Sequence, residues 1–221
     1  MAEPRGDRAR RALIDTAERL IAERGLTALS LREVAAAAGQ RNHSAVQYHF
    51  GGRAGLVEAV FDARMTPIDA RRRDMLTALE AAGRTDDLAA LCDVVVRPLA
   101  EAVVGDQPGW YGRFLAEVAR SEPGLLTVDR PVMATLHRAG VLMAAAMPAV
   151  PPGLRSERLY LALRSAVSLL GDRERVAAAG GDPGTPAPVF TAHLVDLVHA
   201  MVAAPPSPGL AAALRDAGLD G

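Results

Sequence analysis

Residues 30–60 decide the fold of this chain, and they read SLREVAAAAGQRNHSAVQYHFGGRAGLVEAV. Ser30 stands three residues before Glu33, which is the spacing of a capping box at the start of a helix. Apolar residues then recur on one helical face: Leu31, Val34, Ala35 and Ala38. Gly39 follows, and because glycine adopts a positive φ readily, it is predicted to end this helix.

A second short helix is predicted over residues 43–50. Val46 and Phe50 are four residues apart, so they share a face that we expect to point inward. The outer face carries polar and aromatic residues instead: Ser44, Gln47, Tyr48 and His49. Two short helices joined by a glycine-containing turn indicate a helix-turn-helix, whose second helix enters the major groove of DNA.

Upstream of this stretch, residues 8–24 have the apolar period of a helix that Gly25 ends. Leu26 and Leu29 are predicted to pack beneath the helix-turn-helix. Residues 1–6 are interpreted as a disordered leader. Arginines surround the start of the first helix, where a basic arm could touch phosphate, but a solvated tail fits them equally well: Arg5, Arg8, Arg10 and Arg11.

The whole N-terminal stretch resembles the DNA-binding domain of TetR-family transcriptional regulators. The resemblance runs over about residues 8–62 and is carried by RRALIDTAERLIAERGLTALSLREVAAAAG, by VQYHF, and by Arg53 and Leu56 at the start of the next helix. Two features differ from the family's common form. The interval from residue 39 to residue 50 is one residue longer, and Gln47 stands where the family most often has Tyr. We expect both differences to alter the DNA sequence that is read and not the fold.

The resemblance implies an all-α chain with two parts. An N-terminal three-helix helix-turn-helix DNA-binding domain would occupy residues 1–52, and a larger C-terminal helical domain for ligand binding and dimerisation would occupy residues 53–221. The implied partners are double-stranded DNA, a small-molecule effector and a second copy of the chain. The homodimer would form through two long helices at about 154–178 and 189–204, for which an intramolecular hairpin is the alternative. A two-fold dimer places its recognition helices ~34 Å apart, one turn of B-DNA.

The candidate DNA contacts divide into phosphate and base contacts. By the resemblance, Arg53 contacts phosphate, and it could clamp the backbone together with residues at the mouth of the preceding helix: Thr27, Ser30 and Arg32. Gln47 could pair with adenine, and the short polar residues at the start of the recognition helix lie within reach of base edges: Asn42, His43 and Ser44. Tyr48 and His49 fit phosphate hydrogen bonding better. Each of these residues taken singly also fits a solvated polar position.

Composition excludes several classes of protein. Half of the 221 residues are apolar, which is enough for a sizeable core, and no run of 18 apolar residues spans a membrane. The N-terminus lacks the apolar core of a signal peptide, so export is not expected. The single cysteine, Cys92, cannot form an internal disulfide, which suits a reducing, cytoplasmic location.

Charge is distributed unevenly along the chain, although the net charge is only −1. Residues 1–73 carry 13 Arg against 9 Asp and Glu, a balance of +4, whereas residues 74–221 carry 12 Arg against 17 acids, a balance of −5. A basic front part suits contact with a polyanion at one end only. A balance of +4 is also modest enough to arise by chance.

The C-terminal part alternates helical pattern and breakers. A helix that begins near Arg53 connects the DNA-binding part to the rest, and Pro67 is predicted to kink or break it. The arginines at 71–73 are interpreted as a solvated face. A helix capped by Thr85 or Asp86 should run to about residue 104, followed by helices over 110–121 and 129–147 and a short final helix near the C-terminus.

A ligand pocket is predicted among the apolar residues of the C-terminal part. Adaptable sulfur side chains and aromatic rings would line it, and His137 or Arg113 would supply a polar anchor. The remaining candidates for the lining are Met75, Cys92, Trp110, Phe114 and Met133. Trp110 and Phe114 are four residues apart and are predicted to share a face. For any one of these side chains, ordinary core packing is the competing interpretation.

The sequence therefore predicts a DNA-binding transcriptional regulator, more specifically a repressor that leaves a palindromic operator when a small apolar ligand binds. An activator or a ligand-independent regulator with the same DNA-binding part remains an alternative. So does a helical binding protein or enzyme that has lost DNA binding. Catalysis has little support, because the histidines are scattered and His193 and His199 are six residues apart, on different helical faces. No metal, cofactor or membrane association is expected.

Overall fold

Apolar residues at helical spacing recur along most of this chain, and a computed structural model shows what they form. The structure describes residues 4–40, 45–105, 109–122, 124 and 130–219. Within these residues there are ten α-helices and no strand, so the predicted all-α class is confirmed. The helices are α1 (Arg5–Arg24), α2 (Leu31–Ala37), α3 (Ala45–Phe50), α4 (Arg53–Ala81), α5 (Leu88–Val103), α6 (Tyr111–Ser121), α7 (Ala134–Ala145), α8 (Pro152–Ala178), α9 (Ala187–Ala203) and α10 (Pro208–Asp216).

The helices α1 to α3 form the head of the molecule around a small apolar core. Leu13, Val34 and Val46 are each at most 1% exposed and come from α1, α2 and α3 respectively. The predicted apolar faces of these three helices are therefore confirmed. α1 begins at Arg5, three residues earlier than the period predicted, with Pro4 at its N-cap and Asp7 in its first turn. The fixed φ of proline and an acid near the helix N-terminus both favour this earlier start.

The predicted capping box of α2 is present only in part. Ser30 is the N-cap, and its side chain accepts a hydrogen bond from the backbone N–H of Glu33 at 3.4 Å. The Glu33 carboxylate does not complete the box, because it forms an ion pair with Arg24 at the end of α1. The side chain that would have closed the box thus connects two helices of the head. The predicted turn at residues 40–42 lies largely outside the described residues.

α4 is the longest helix, with 29 residues, which corresponds to a length of ~43 Å at 1.5 Å per residue. Pro67 was predicted to kink or break this helix, and the break is wrong, because the helix continues through this residue. Met65 and Ile68 on either side are 3% and 4% exposed, so tertiary packing stabilises the helix where proline removes a backbone hydrogen bond. The predicted solvated face at 71–73 is also wrong for Arg72, which is 2% exposed, whereas Arg71 and Arg73 are exposed.

The helices α5 to α10 form the body of the molecule. The N-cap of α5 is neither predicted residue, Thr85 or Asp86, but Asp87, which accepts a hydrogen bond from Ala90 N–H at 2.9 Å. Apolar residues at helical spacing along α5 are buried: Leu91, Val95, Leu99 and Val103. The single helix predicted over 129–147 is instead a short 3₁₀ turn, Pro131–Met133, followed by α7.

Within the body, α6 packs on α8 and α5 packs on α9. Gly112 and Gly171 let the first of these pairs approach closely. A Cβ atom added at Gly171 would lie 3.0 Å from the Gly112 carbonyl oxygen and 2.9 Å from Cβ of Ala116. Such contacts are closer than side chains tolerate, so position 171 requires glycine at this separation of the helices.

Among the described residues, no single helix is long and apolar enough to cross a membrane. α9 and α10 reach the required length and apolar character only when they are taken together, and their axes are bent by 48° relative to each other.

The head core yields a test of stability. Leu13→Ala removes a side chain that is 0% exposed, and we expect it to lower the free energy of unfolding by about 2–5 kcal/mol in urea denaturation. Leu210→Ala is the control, since Leu210 is 38% exposed on α10, and its effect should stay near about 0.5 kcal/mol. Equal losses in the two variants would contradict the assigned core.

Candidate nucleic-acid interface and effector cavity

The short helix α3 presents an exposed outer face while its inner face is anchored in the head. Val46 is 1% exposed and Phe50 is half-buried, with the Arg10 guanidinium 5.3 Å from the Phe50 ring centroid. Tyr48 is 85% exposed, more than any other large apolar or aromatic side chain of the described residues. The His49 ring packs edge-on against it at 5.0 Å between ring centroids. This face can therefore contact a partner outside the protein.

A glycine turn fixes the direction in which α3 points. Gly51 and Gly52 have φ values of 69° and 133°, a region that favours glycine. The Gln47 side-chain amide donates a hydrogen bond to the Gly51 carbonyl oxygen at 3.2 Å, so this predicted base-reading side chain also closes the end of α3. Three residues on, a Cβ atom at Gly55 would lie 2.0 Å from the Phe50 carbonyl oxygen. The GGRAG segment thus sets the close approach of α3 and α4.

Arg53, the predicted phosphate contact, has a partner within the protein. Its guanidinium donates a hydrogen bond to the Leu26 carbonyl oxygen, in the turn between α1 and α2. The backbone N–H of Leu26 donates to the Glu117 carboxylate of α6 at 2.9 Å. We call this arrangement of Arg53, Leu26 and Glu117 the Leu26 clamp. The Leu26 carbonyl oxygen connects the head to α4, and the Leu26 N–H connects the head to the body.

The carboxylate of the clamp is held in place by its own neighbours. Arg120 donates to both oxygens of Glu117, at 2.8 and 2.7 Å, and the Ser121 hydroxyl donates at 3.0 Å. Partial burial alone would raise the pKa of Glu117, but the hydrogen bonds from Arg120, Leu26 N–H and Ser121 outweigh it and hold the pKa below its usual value. Glu117 therefore stays charged as an acceptor at neutral pH.

The remaining predicted DNA contacts lie in two places. Thr27, Ser30 and Arg32 are exposed at the turn before α2 and in its first turn. Asn42, His43 and Ser44 lie outside the described residues. The structure thus brings an exposed α2 N-terminus and the exposed face of α3 into one head, where backbone N–H groups and side chains are both available to a phosphate.

A second connection between head and α4 is ionic. Arg64 of α4 donates to Glu18 of α1 at 2.8 and 2.6 Å and to Asp15 at 2.8 Å. Burial raises the pKa of Glu18 despite the hydrogen bonds and the charge of Arg64. α1 is therefore fixed to α4 by an ion pair that is buried on the glutamate side.

An apolar cavity of about 150 Å³ lies in the body, between α4, α5, α6, α7 and α8. Its wall includes Phe61 and Met65 from α4, Val95 and Leu99 from α5, and Leu170 from α8. Two cationic side chains, Arg72 and Arg164, also line it.

Of the predicted ligand residues, Met133 lines this cavity, and the others lie elsewhere. Trp110 precedes α6 and stacks with the Arg113 guanidinium at 4.6 Å from the ring centroid, whereas Phe114 stacks on Tyr111 with ring centroids 6.0 Å apart. Cys92 is buried, and this burial, with the nearby Asp93, raises its pKa to about 12. Met75 is half-buried and packs against the core, and His137 is exposed.

Sequence reasoning missed Arg72 and Arg164 as cavity residues. The signal for Arg72 was available, because it continues the buried stripe of α4 at helical spacing, between Ile68 and Leu76. The arginines on either side concealed it, since a run of three charges is usually a solvated face. Arg164 had no comparable signal.

The described residues contain no group of three or more His, Cys, Asp or Glu side chains that could hold a metal ion.

The fold and the head together define a helix-turn-helix protein, with an exposed second helix and a helical body beyond the head. The N-terminal part matches the family model of the bacterial regulatory proteins of the TetR family over residues 13–60. At the level of class, this match supports a DNA-binding transcriptional regulator.

Two solved structures are similar to the whole chain. One is described as a TetR-family transcriptional regulator from Mesorhizobium loti, with 18% identity over 91% of this chain and 98% of the other, and a TM-score of 0.44. The second is described as a TetR-family transcriptional regulator from Streptomyces coelicolor, with 22% identity over 100% of this chain and 91% of the other, and a TM-score of 0.43. No curated protein matches the sequence. The family assignment therefore depends on residues 13–60.

The Leu26 clamp yields a test by hydrogen exchange. Glu117→Ala removes the acceptor of Leu26 N–H, and we expect exchange of that amide to become about tenfold faster, the effect of one lost hydrogen bond. Glu122→Ala, an exposed acid at the end of the same helix, is the matched control and should leave the rate unchanged. An unchanged rate in Glu117→Ala would show that the clamp does not form in solution.

The same amide should respond to pH in the wild-type protein. Because the folded-state pKa of Glu117 is lowered, the stabilisation it contributes is present above the unfolded-state pKa and is lost as pH falls through the folded one. After correction for the intrinsic exchange rate, protection of Leu26 should thus be constant near neutrality. It should decrease only below the usual pKa range of a glutamate.

Proposed function

We propose that the chain is a homodimeric repressor that binds a near-palindromic operator through α2 and α3 and leaves it when a small, largely apolar molecule enters the body. The observation that carries the proposal is the exposed face of α3, where Tyr48 is 85% exposed beside the exposed Gln47. Because Val46 and the glycine turn at 51–52 fix this helix, the face is preorganised to read DNA. The division into functional parts that we propose falls at α4, with residues 1–52 for DNA and residues 53–221 for regulation.

A dimer is supported by exposed apolar side chains on the two long C-terminal helices. Leu161, Leu169 and Val176 of α8 are 49%, 42% and 41% exposed, and their spacing of eight and seven residues keeps them on one side of the helix. α9 carries a second such set beside it: Val189, Leu197 and Met201, at 53%, 43% and 40% exposure. An exposed apolar patch of this kind marks an interaction surface, and pairing with its two-fold mate would form a four-helix bundle.

The same face is held in a fixed shape within the chain. Arg173 of α8 stacks on the Phe190 ring of α9 at 4.4 Å from the centroid. It also donates hydrogen bonds to the carbonyl oxygens of Pro183 and Thr185, each at 2.6 Å. These contacts fix α9 against α8, so the two helices would meet a partner as one rigid surface.

Regulation would pass through α4. Leu56 and Val57 near its start are buried next to the head, whereas Phe61, Met65 and Arg72 further along line the cavity. A ligand that favours one setting of α4 would shift the population of dimers towards one separation of the heads. Two lost bidentate base contacts at ~1–3 kcal/mol each would suffice for release from DNA. An activator would use the same parts with the opposite sign of coupling.

DNA recognition is tested by a double substitution on α3. Gln47→Ala with Tyr48→Ala should lower specific affinity at least about tenfold, since each good base contact contributes ~1–3 kcal/mol, while the dimer stays intact. The measurement is an electrophoretic mobility shift at two salt concentrations, with DNA that flanks the coding region and with sites selected from a random-sequence pool.

Val141→Ala provides the control for this experiment, because Val141 is 58% exposed on α7, away from the head. Its specific affinity should equal that of the wild-type protein. Unchanged affinity in the double variant would refute the assignment of α3 as the recognition helix. Absence of specific or salt-dependent binding in the wild-type protein would instead favour a binding protein that has lost its DNA function.

The dimer is tested by Leu169→Arg. A charge in the middle of the proposed interface would be buried without a partner, so the dimer dissociation constant should rise at least about a hundredfold, as measured by sedimentation velocity. Val141→Arg is the matched control, because Val141 is 58% exposed on α7, outside this face. Dissociation in both variants, or in neither, would contradict the proposed interface.

A further inference from the structure

Arg72 is a buried cation on the wall of the apolar cavity in the body. Its side chain is 2% exposed, and its Nε and Nη2 atoms donate to the Val95 carbonyl oxygen at 3.1 and 3.0 Å. Nη1 makes a weaker contact with the Met65 sulfur at 3.4 Å. A guanidinium has five N–H donors, so these contacts leave two of them for another acceptor.

No carboxylate of the described residues forms an ion pair with Arg72. Asp69, one turn earlier on α4, is already occupied, since it accepts from the Thr135 hydroxyl at 2.9 Å and the Thr135 N–H at 3.2 Å and lies 3.5 Å from Arg73. Burial lowers the pKa of Arg72 to about 10, although Tyr111 and Asp69 partly offset this. Arg72 therefore remains a cation at neutral pH and lacks a direct counter-charge.

Arg164 places a second cation on the same cavity. It is half-buried on α8, and its Nη1 atom donates to the Ala119 carbonyl oxygen at 2.7 Å and to the Tyr160 hydroxyl at 3.1 Å. Both acceptors are neutral. The described residues that line this cavity include no Asp or Glu, so two positive charges face an otherwise mostly apolar space.

We propose that the effector is a small apolar carboxylic acid whose carboxylate pairs with Arg72 while its hydrocarbon part fills the cavity. The inference rests on the proposed ligand-responsive function and specifies the ligand's chemistry. A carboxylate offers the planar, bidentate acceptor that a guanidinium matches best. The volume of about 150 Å³ resembles that of a cavity that holds one benzene ring. It therefore suits an acid with a single ring or a chain of about six to eight carbons.

The test compares acids with alcohols of the same hydrocarbon part. Benzoate and octanoate, with benzyl alcohol and octanol as their neutral counterparts, are titrated into the full-length dimer at neutral pH by calorimetry, and thermal melting is measured in parallel. The acids should bind at least about tenfold more tightly than the alcohols, because only they form a charge-assisted pair with Arg72.

Two variants locate the effect. Arg72→Met keeps an unbranched side-chain stem and removes the charged guanidinium, and it should weaken acid binding at least about tenfold while leaving alcohol binding nearly unchanged. Arg71→Met is the matched control, because Arg71 is the exposed neighbour on the same helix, and both ligand classes should bind it as they bind the wild-type protein. If Arg72→Met does not fold, the comparison of acids and alcohols on the wild-type protein decides.

The outcomes separate this inference from the regulatory function. Equal affinity for acids and alcohols, full acid affinity in Arg72→Met, or no binding of any of the four compounds would overturn the acid specificity. Specific operator binding in the mobility shift would nevertheless leave the DNA-binding function standing. Tight acid binding that depends on Arg72, in a protein that binds no DNA, would support the inference and refute the repressor.

Discussion

Packing on both ends of α4 is the constraint on which the rest of the structure depends. One continuous helix of 29 residues supplies buried side chains to the head core and then to the body, so neither part has its own complete core without it. Continuity through Pro67 is essential to this role. A break there would have separated Leu56 and Val57 from Ile68 and Arg72 in rigid-body terms, so that α4 could not move as one body.

The fold class and most helices could be predicted from the sequence because the apolar period is strong in nearly every segment. Leu13 in α1 and Val46 in α3 are buried where their spacing indicated. The errors occurred where tertiary packing overrides a local rule. Pro67 is tolerated because buried neighbours hold the helix on both sides. Asp87 caps α5 because its backbone has the extended geometry of an N-cap, whereas Asp86 lies in the preceding turn.

The candidate sites were predicted less completely than the helices. The exposed residues of the head could be predicted from the sequence, whereas most residues that line the cavity in the body could not. The exposure of residues such as Tyr48 could be predicted directly, because these residues lie on the outer face of a short helix. A cavity depends on which helices meet, and the sequence does not determine that α4, α5 and α8 surround one space. Sulfur and aromatic residues were therefore sound candidates by type, yet Cys92 and Phe114 are ordinary core residues, whereas Arg72 resembled a surface charge.

The Leu26 clamp has a consequence for how such a head can diverge. The head contributes only main-chain atoms to it, the N–H and the carbonyl oxygen of one residue, while Arg53 and Glu117 contribute the side chains. Thr27 and Arg32, next to the clamp and exposed towards a partner, can therefore be exchanged without removing a bond between the parts. The surface that we propose for DNA contact is thus free to change while this connection between head and body stays the same.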